Sequence, residues 1–292
     1  VITITPDKLT KGETIQKSLE YLDQSLDFVM DKSIEQDYKL KIIFSSGKRL
    51  SEEYSQLLKE STIKCRGVIL VDDWAACRLL VLRLLVKATP CPAQLNIHPE
   101  NKIIFHYLYN LRFLRELFSQ MNPLNRPHLL PKDFILETLL EVESRGFNLD
   151  CLSMNGYPLL LCSLPYQGDK SGYYLPSFHT VTLFANSYPK NIKRFVIIHE
   201  LGHALYHLNN LKQQGQKLPG EEFEKLLKLL KLKYPPSRVT TLKTLKERHT
   251  EEAFANLLAS YLLGHRKKDS QEKEVEKLLI VYLKSLRKSS AR

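Results

Sequence analysis

No apolar run in this chain approaches the ~18 residues that a membrane-spanning helix requires. The longest, Leu79 to Val86, is interrupted by Arg83 and flanked by Arg78 and Lys87, so no membrane span is expected. Cysteine is scarce. Cys65, Cys77, Cys91, Cys151 and Cys162 are odd in number and form no Cys-x-x-Cys pair. A disulfide framework favours an even set in a small secreted domain, so these read as reduced, mostly buried thiols. Glycine is sparse too. Phe44-Ser45-Ser46-Gly47-Lys48 is too short to cradle a phosphate, which excludes a P-loop nucleotide enzyme. The N-terminal VITITPDKLT carries no signal-peptide pattern. A cytoplasmic protein is the expectation, with secretion the alternative if a leader precedes it. No internal repeat, zinc-finger spacing or RNA-binding signature is evident.

Basic residues, by contrast, outnumber acidic ones, and the net charge is +11. The excess lies in KLLKLLKLKYPPSR, LKTLKERH, HRKKDSQEKEVEK and LKSLRKSSAR. Leucines recur there at helical intervals, so the lysines are expected on solvated helix faces. Nucleic-acid binding through them is the lesser alternative, since phosphate attraction alone confers no sequence specificity.

At 292 residues and 43% hydrophobic content, the chain is long and apolar enough for a large core and two domains. MNPLNRPHLLPKD, with three prolines, reads as the boundary. Residues 1–122 are expected to form a small α/β domain for recognition or sensing. Its helices are read over 13–32, 47–61 and 74–88, and its strands over 39–44 and 67–71. Segments 95–98 and 102–109 are strand or helix. Asp72 and Asp73 follow the second strand, where a regulatory ligand could bind or where they simply cap the next helix. Trp74 reads as a packing anchor. Residues 123–292 begin with DFILETLLEVESRG, a helix ended by Gly146, followed by strands at 157–164, SGYYLPS and TVTLFA. Thr180 to Ala185 alternates like a half-buried strand; at the sheet edge it could add an extended peptide, and in the interior it would have no substrate role.

The chemistry is concentrated in KRFVIIHELGHALYH, which reads as one helix. Positions i and i+4 share a helix face, so His199 and His203 can aim two imidazoles at one ion, with Glu200 beside them. This is the HExxH arrangement of zinc hydrolases, in which the glutamate is the general base. Val196, Ile197, Ile198, Leu201 and Ala204 let the helix pack in the core, and Gly202 lets another segment approach closely. Catalytic zinc takes three protein ligands and keeps one open position. His207, at i+8 from His199, lies too far along a straight helix to join them. In HTEEAFANLLASYLL, Glu251 and Glu252 are expected to open an apolar helix. Glu252 shares a side with Ala255, Asn256 and Ala259, small residues that permit close packing, and is the favoured third ligand. Glu251 is left to the helix dipole. His249, Tyr234, Tyr173 and Tyr174 are the candidates for a donor to the oxyanion.

Two families share these residues. KRFVIIHELGHALYH with EEAFANLLASYLL resembles the ImmA/IrrE-type metallopeptidases at Arg194, Phe195, His207, Glu252, Ala255 and Asn256. Glu252-Ala253-Phe254-Ala255 also resembles the Glu-x-Phe-Ala motif of the anthrax lethal-factor-like group, which includes the Pro-Pro endopeptidases. The 48 residues between His203 and Glu252 resemble the second group's spacing more closely, although Leu245 stands where that group often carries tyrosine. Both resemblances span about residues 170 to 264. They imply an α+β fold with a zincin-like catalytic domain over 123–292. They also imply Zn2+ on His199, His203 and Glu252, Glu200 as general base for a zinc-bound water, and a protein or peptide substrate; limited regulatory proteolysis is implied by the ImmA/IrrE resemblance alone. A non-catalytic zinc-containing regulator that binds protein or nucleic acid is the alternative.

Overall fold

Among its described residues, this computed structural model holds five strands and five α-helices. The described residues are 62–65, 67–71, 129–154, 158–165, 169–184, 188–212, 220–234, 243–265 and 270–289, with isolated positions 80, 113, 116, 117 and 120. The strands are β1 (Thr62–Cys65), β2 (Val68–Val71), β3 (Leu159–Leu164), β4 (Gly172–Leu175) and β5 (Thr180–Phe184). The helices are α1 (Lys132–Ser144), α2 (Lys190–Lys212), α3 (Gly220–Lys233), α4 (Lys243–Leu262) and α5 (Ser270–Ser289). Two 3-10 turns, Leu149–Leu152 and Pro176–Phe178, precede β3 and β5. No helix among the described residues is long and apolar enough to cross a membrane.

The sheet runs β1-β2-β3-β5-β4. Its centre is parallel, with Leu70 opposite Leu161 and Leu161 opposite Val181, and both outer pairs are antiparallel. Val68, Leu70, Leu159, Leu161, Val181 and Leu183 join the core that the helices close. Alternate residues point to the opposite face, and Ile69, Val71, Leu160, Cys162 and Leu164 are buried there as well. Burial on both faces explains why these strands read as continuous apolar runs. Strands from both sides of position 122 therefore share one sheet, β1 and β2 coming from before it and β3 to β5 from after it.

Of the two places open to the strand at 180–185, the interior one is found. The strand at Thr180–Phe184 is not at the edge, because β3 pairs with one side of it and β4 with the other. Alternation within a strand reports which faces are covered, not which neighbours it has. All five residues of β5 are buried, and the edge belongs to β4.

Helix α1 follows Pro131 and closes where Gly146 turns to φ 96°. Helices α3 and α5 are amphipathic. Phe223, Leu226 and Leu230 are buried on one, and Val275, Leu279, Tyr282 and Leu286 on the other. Lys225, Lys228, Lys231 and Lys277 are exposed, as a solvated basic face requires. Cys162 is buried and Cys151 partly so. The expected elements at 13–32, 39–44, 47–61, 95–98 and 102–109, most of 74–88, and Asp72, Asp73 and Trp74 lie outside the described residues.

Candidate metal centre

Helix α2 presents the HELGH segment from an apolar cylinder. Ile197, Ile198, Leu201, Ala204, Leu205 and Leu208 are all buried. That burial fixes the rotation of the helix and leaves His199 and His203 stacked one turn apart on the remaining side. Helix α4 packs along it. A Cβ on Gly202 would sit 2.8 Å from Ala255 Cα, so only glycine allows the two backbones this approach.

The approach brings three ligand atoms together. His199 Nε2 and His203 Nε2 are 3.0 Å apart. Glu252 Oε2 lies 3.3 Å from the first and 3.6 Å from the second. A tetrahedral zinc ion with bonds of about 2.0–2.1 Å needs its ligand atoms about 3.3–3.4 Å apart, so this triangle has the right size. Two imidazoles and one carboxylate are a donor set that zinc accepts, as do other divalent ions such as iron(II). Among the described residues it is the one group of three His, Cys, Asp or Glu side chains able to converge on a cation. The Glu252 side chain is 44% exposed against 16% and 11% for the two histidines, so the centre opens to solvent beside the carboxylate.

Electrostatics tie the group together. Burial alone would lower the pKa of His203. Its hydrogen bonds with Glu251 and Glu252, and the nearby charge of Glu200, outweigh that and push it up to about 10. Hydrogen bonds from His199 and His203 hold Glu252 well below the usual carboxylate range. Glu200 moves the other way. Desolvation raises its pKa, and the neighbouring histidines and the main-chain N–H of Tyr174, which donates to it, only partly oppose the rise. A buried carboxylate with raised proton affinity is suited to taking up a proton. Gly172 on the edge strand leaves room for it, since a Cβ there would press to 3.1 Å from Glu200 Cγ.

Glu251 departs from its expected role. It does not open a helix, because α4 begins at Lys243 and runs unbroken through it. The Thr-Glu-Glu sequence resembles a helix start, but the lysine-rich segment before it belongs to the same helix. Glu251 Oε1 instead meets His203 Nδ1 at 2.8 Å. The sequence holds no signal for that pairing beyond its place next to Glu252. His207 stays outside the triad, partly buried and 5.8 Å from the Tyr174 ring, its pKa lowered by burial.

The four donor candidates fall in different places. Tyr173 turns to Phe184 and Phe113, on the sheet face away from α2. The Tyr174 hydroxyl meets His179 Nδ1 at 3.2 Å, and the Tyr174 backbone N–H donates to Glu200. Lys233 Nζ lies over the Tyr234 ring. His249 is exposed on α4, one turn ahead of Glu252. No protein-family profile, characterised protein or solved structure matches this chain.

Proposed function

We propose that this chain is a zinc-dependent endopeptidase with a zincin-like catalytic region, acting on a protein substrate in limited regulatory proteolysis. The observation that carries the reading is the triangle of His199 Nε2, His203 Nε2 and Glu252 Oε2, with sides of 3.0, 3.3 and 3.6 Å. These three residues would hold the ion. Bound there, zinc would lend Lewis acidity to an amide carbonyl and would ease loss of a proton from water near neutral pH. Glu200 is the base that takes that proton and returns it to the departing amide nitrogen. Its burial keeps the carboxylate basic, and the Tyr174 N–H holds it in place. Three protein ligands rather than four favour catalysis over a purely structural ion. The resemblance to the ImmA/IrrE-type and lethal-factor-like peptidases supports the same residue roles.

Glu200→Gln is the direct test. The variant is expected to bind zinc as the wild type does and to cleave a peptide library about 100- to 10,000-fold more slowly. Chelation should silence the wild type, and zinc should restore it. Cleavage by Glu200→Gln at the wild-type rate would sink the assignment. Stoichiometric zinc with no hydrolysis by the wild type would favour the non-catalytic regulator instead.

A further inference from the structure

The two histidines of the centre are held by different means. His199 lies against Phe195, with ring centroids 6.0 Å apart and planes 25° from parallel. Its Nδ1 is buried and has no hydrogen-bond partner among the described residues. His203 Nδ1 is 2.8 Å from Glu251 Oε1. An ionised carboxylate only accepts hydrogen bonds, so Nδ1 carries a proton and donates it. The other nitrogen, Nε2, faces His199 Nε2 and Glu252 Oε2.

We propose that Glu251 is a positioning residue of the metal centre: it fixes the tautomer and ring angle of His203 so that Nε2 is the ligating atom. The inference rests on the zinc reading of His199, His203 and Glu252. Consecutive residues diverge by about 100° around a helix axis. On α4 that divergence sends Glu252 to the ligating side of His203 and Glu251 to its back. One helix thus delivers a third ligand and an anchor for the second. A carboxylate on the remote nitrogen also strengthens the imidazole as a donor. Its charge favours a dication over a singly charged proton on Nε2. His199 lacks such an anchor, so His203 is the histidine whose support is set by charge.

The test is zinc affinity of the full chain, measured at fixed pH by competition with a chromophoric chelator. Glu251→Ala should bind about 10- to 100-fold more weakly than wild type. Glu251→Gln still accepts from Nδ1 but carries no charge, and should fall between the two. Glu251→Asp keeps the charge and should recover part of the loss. Nitrogen-15 spectra of the zinc-loaded wild type should show His203 protonated on Nδ1. Wild-type affinity in Glu251→Ala, or a proton on Nε2, overturns the proposal and leaves the zinc reading standing. A wild type that binds no zinc overturns both. If Glu251→Ala does not fold, the Gln and Asp variants and the nitrogen spectrum decide the matter.

Discussion

A proton and a cation compete for the same nitrogen of His203, and the surrounding carboxylates favour both. In the metal-free chain the pKa of His203 rises from its ordinary 6.5 to about 10. Its folded value is thus above its unfolded one. The stabilisation from protonation is full below pH 6.5 and is lost as pH climbs through about 10. Zinc must displace that proton. Its apparent affinity should therefore increase with pH across neutrality, by up to about tenfold per unit for one proton released. Chelator competition at pH 6, 7 and 8 checks this. An affinity flat across that range, after correction for the chelator's own protons, would mean that His203 binds no proton the ion has to displace.

At the scale of elements, the centre depends on how closely α2 and α4 approach. Side chains from positions 199 and 203 meet one from 252 where Gly202 lies against Ala255. Gly202→Leu must push the helices apart or distort them. Overpacking of this kind costs about 1–3 kcal/mol. The loss should appear in denaturant melts, together with weaker zinc binding, because the ligand triangle spans the same contact. A variant that is destabilised yet binds zinc normally would show the triangle to be independent of the helix contact. Much of this was legible beforehand. Histidines at i and i+4 fixed one face of α2, and the small residues Ala255 and Ala259 marked Glu252 as facing it. The start of α4 was not legible, because Thr-Glu-Glu reads as a beginning wherever it falls, and only tertiary packing shows Thr250 buried inside the helix. The place of β5 was not legible either, since strand order comes from pairings distant in sequence. Glu251 lay beyond reach for a related reason: its partner is 48 residues away, and nothing local states which side of His203 it meets.

Across the whole molecule, the strands before position 122 bear on the site. β2 pairs along β3, and β3 pairs along β5, which pairs with β4, the strand holding Glu200. On the opposite face of the sheet, Tyr173 also meets a residue from that side of the chain. Leu80 and Leu117 are buried, and Phe113 meets Tyr173 edge-on at 6.4 Å. Proline-rich composition around 121–133 carries no information about whether strands on either side share hydrogen bonds. A chain consisting of residues 123–292 would keep every residue of the zinc triad and lose the neighbour of β3. Leu159 to Leu164, all buried in the full chain, would then form a bare apolar edge. Unprotected edges of this kind pair with other chains. The truncated protein should therefore aggregate or fail to melt cooperatively, and should bind zinc weakly although its ligands are intact. Size-exclusion chromatography and calorimetry on the two lengths decide it. A monomeric, cooperatively melting 123–292 fragment with full zinc affinity would mean that the part carrying His199, His203 and Glu252 stands alone and that β1 and β2 are dispensable to it.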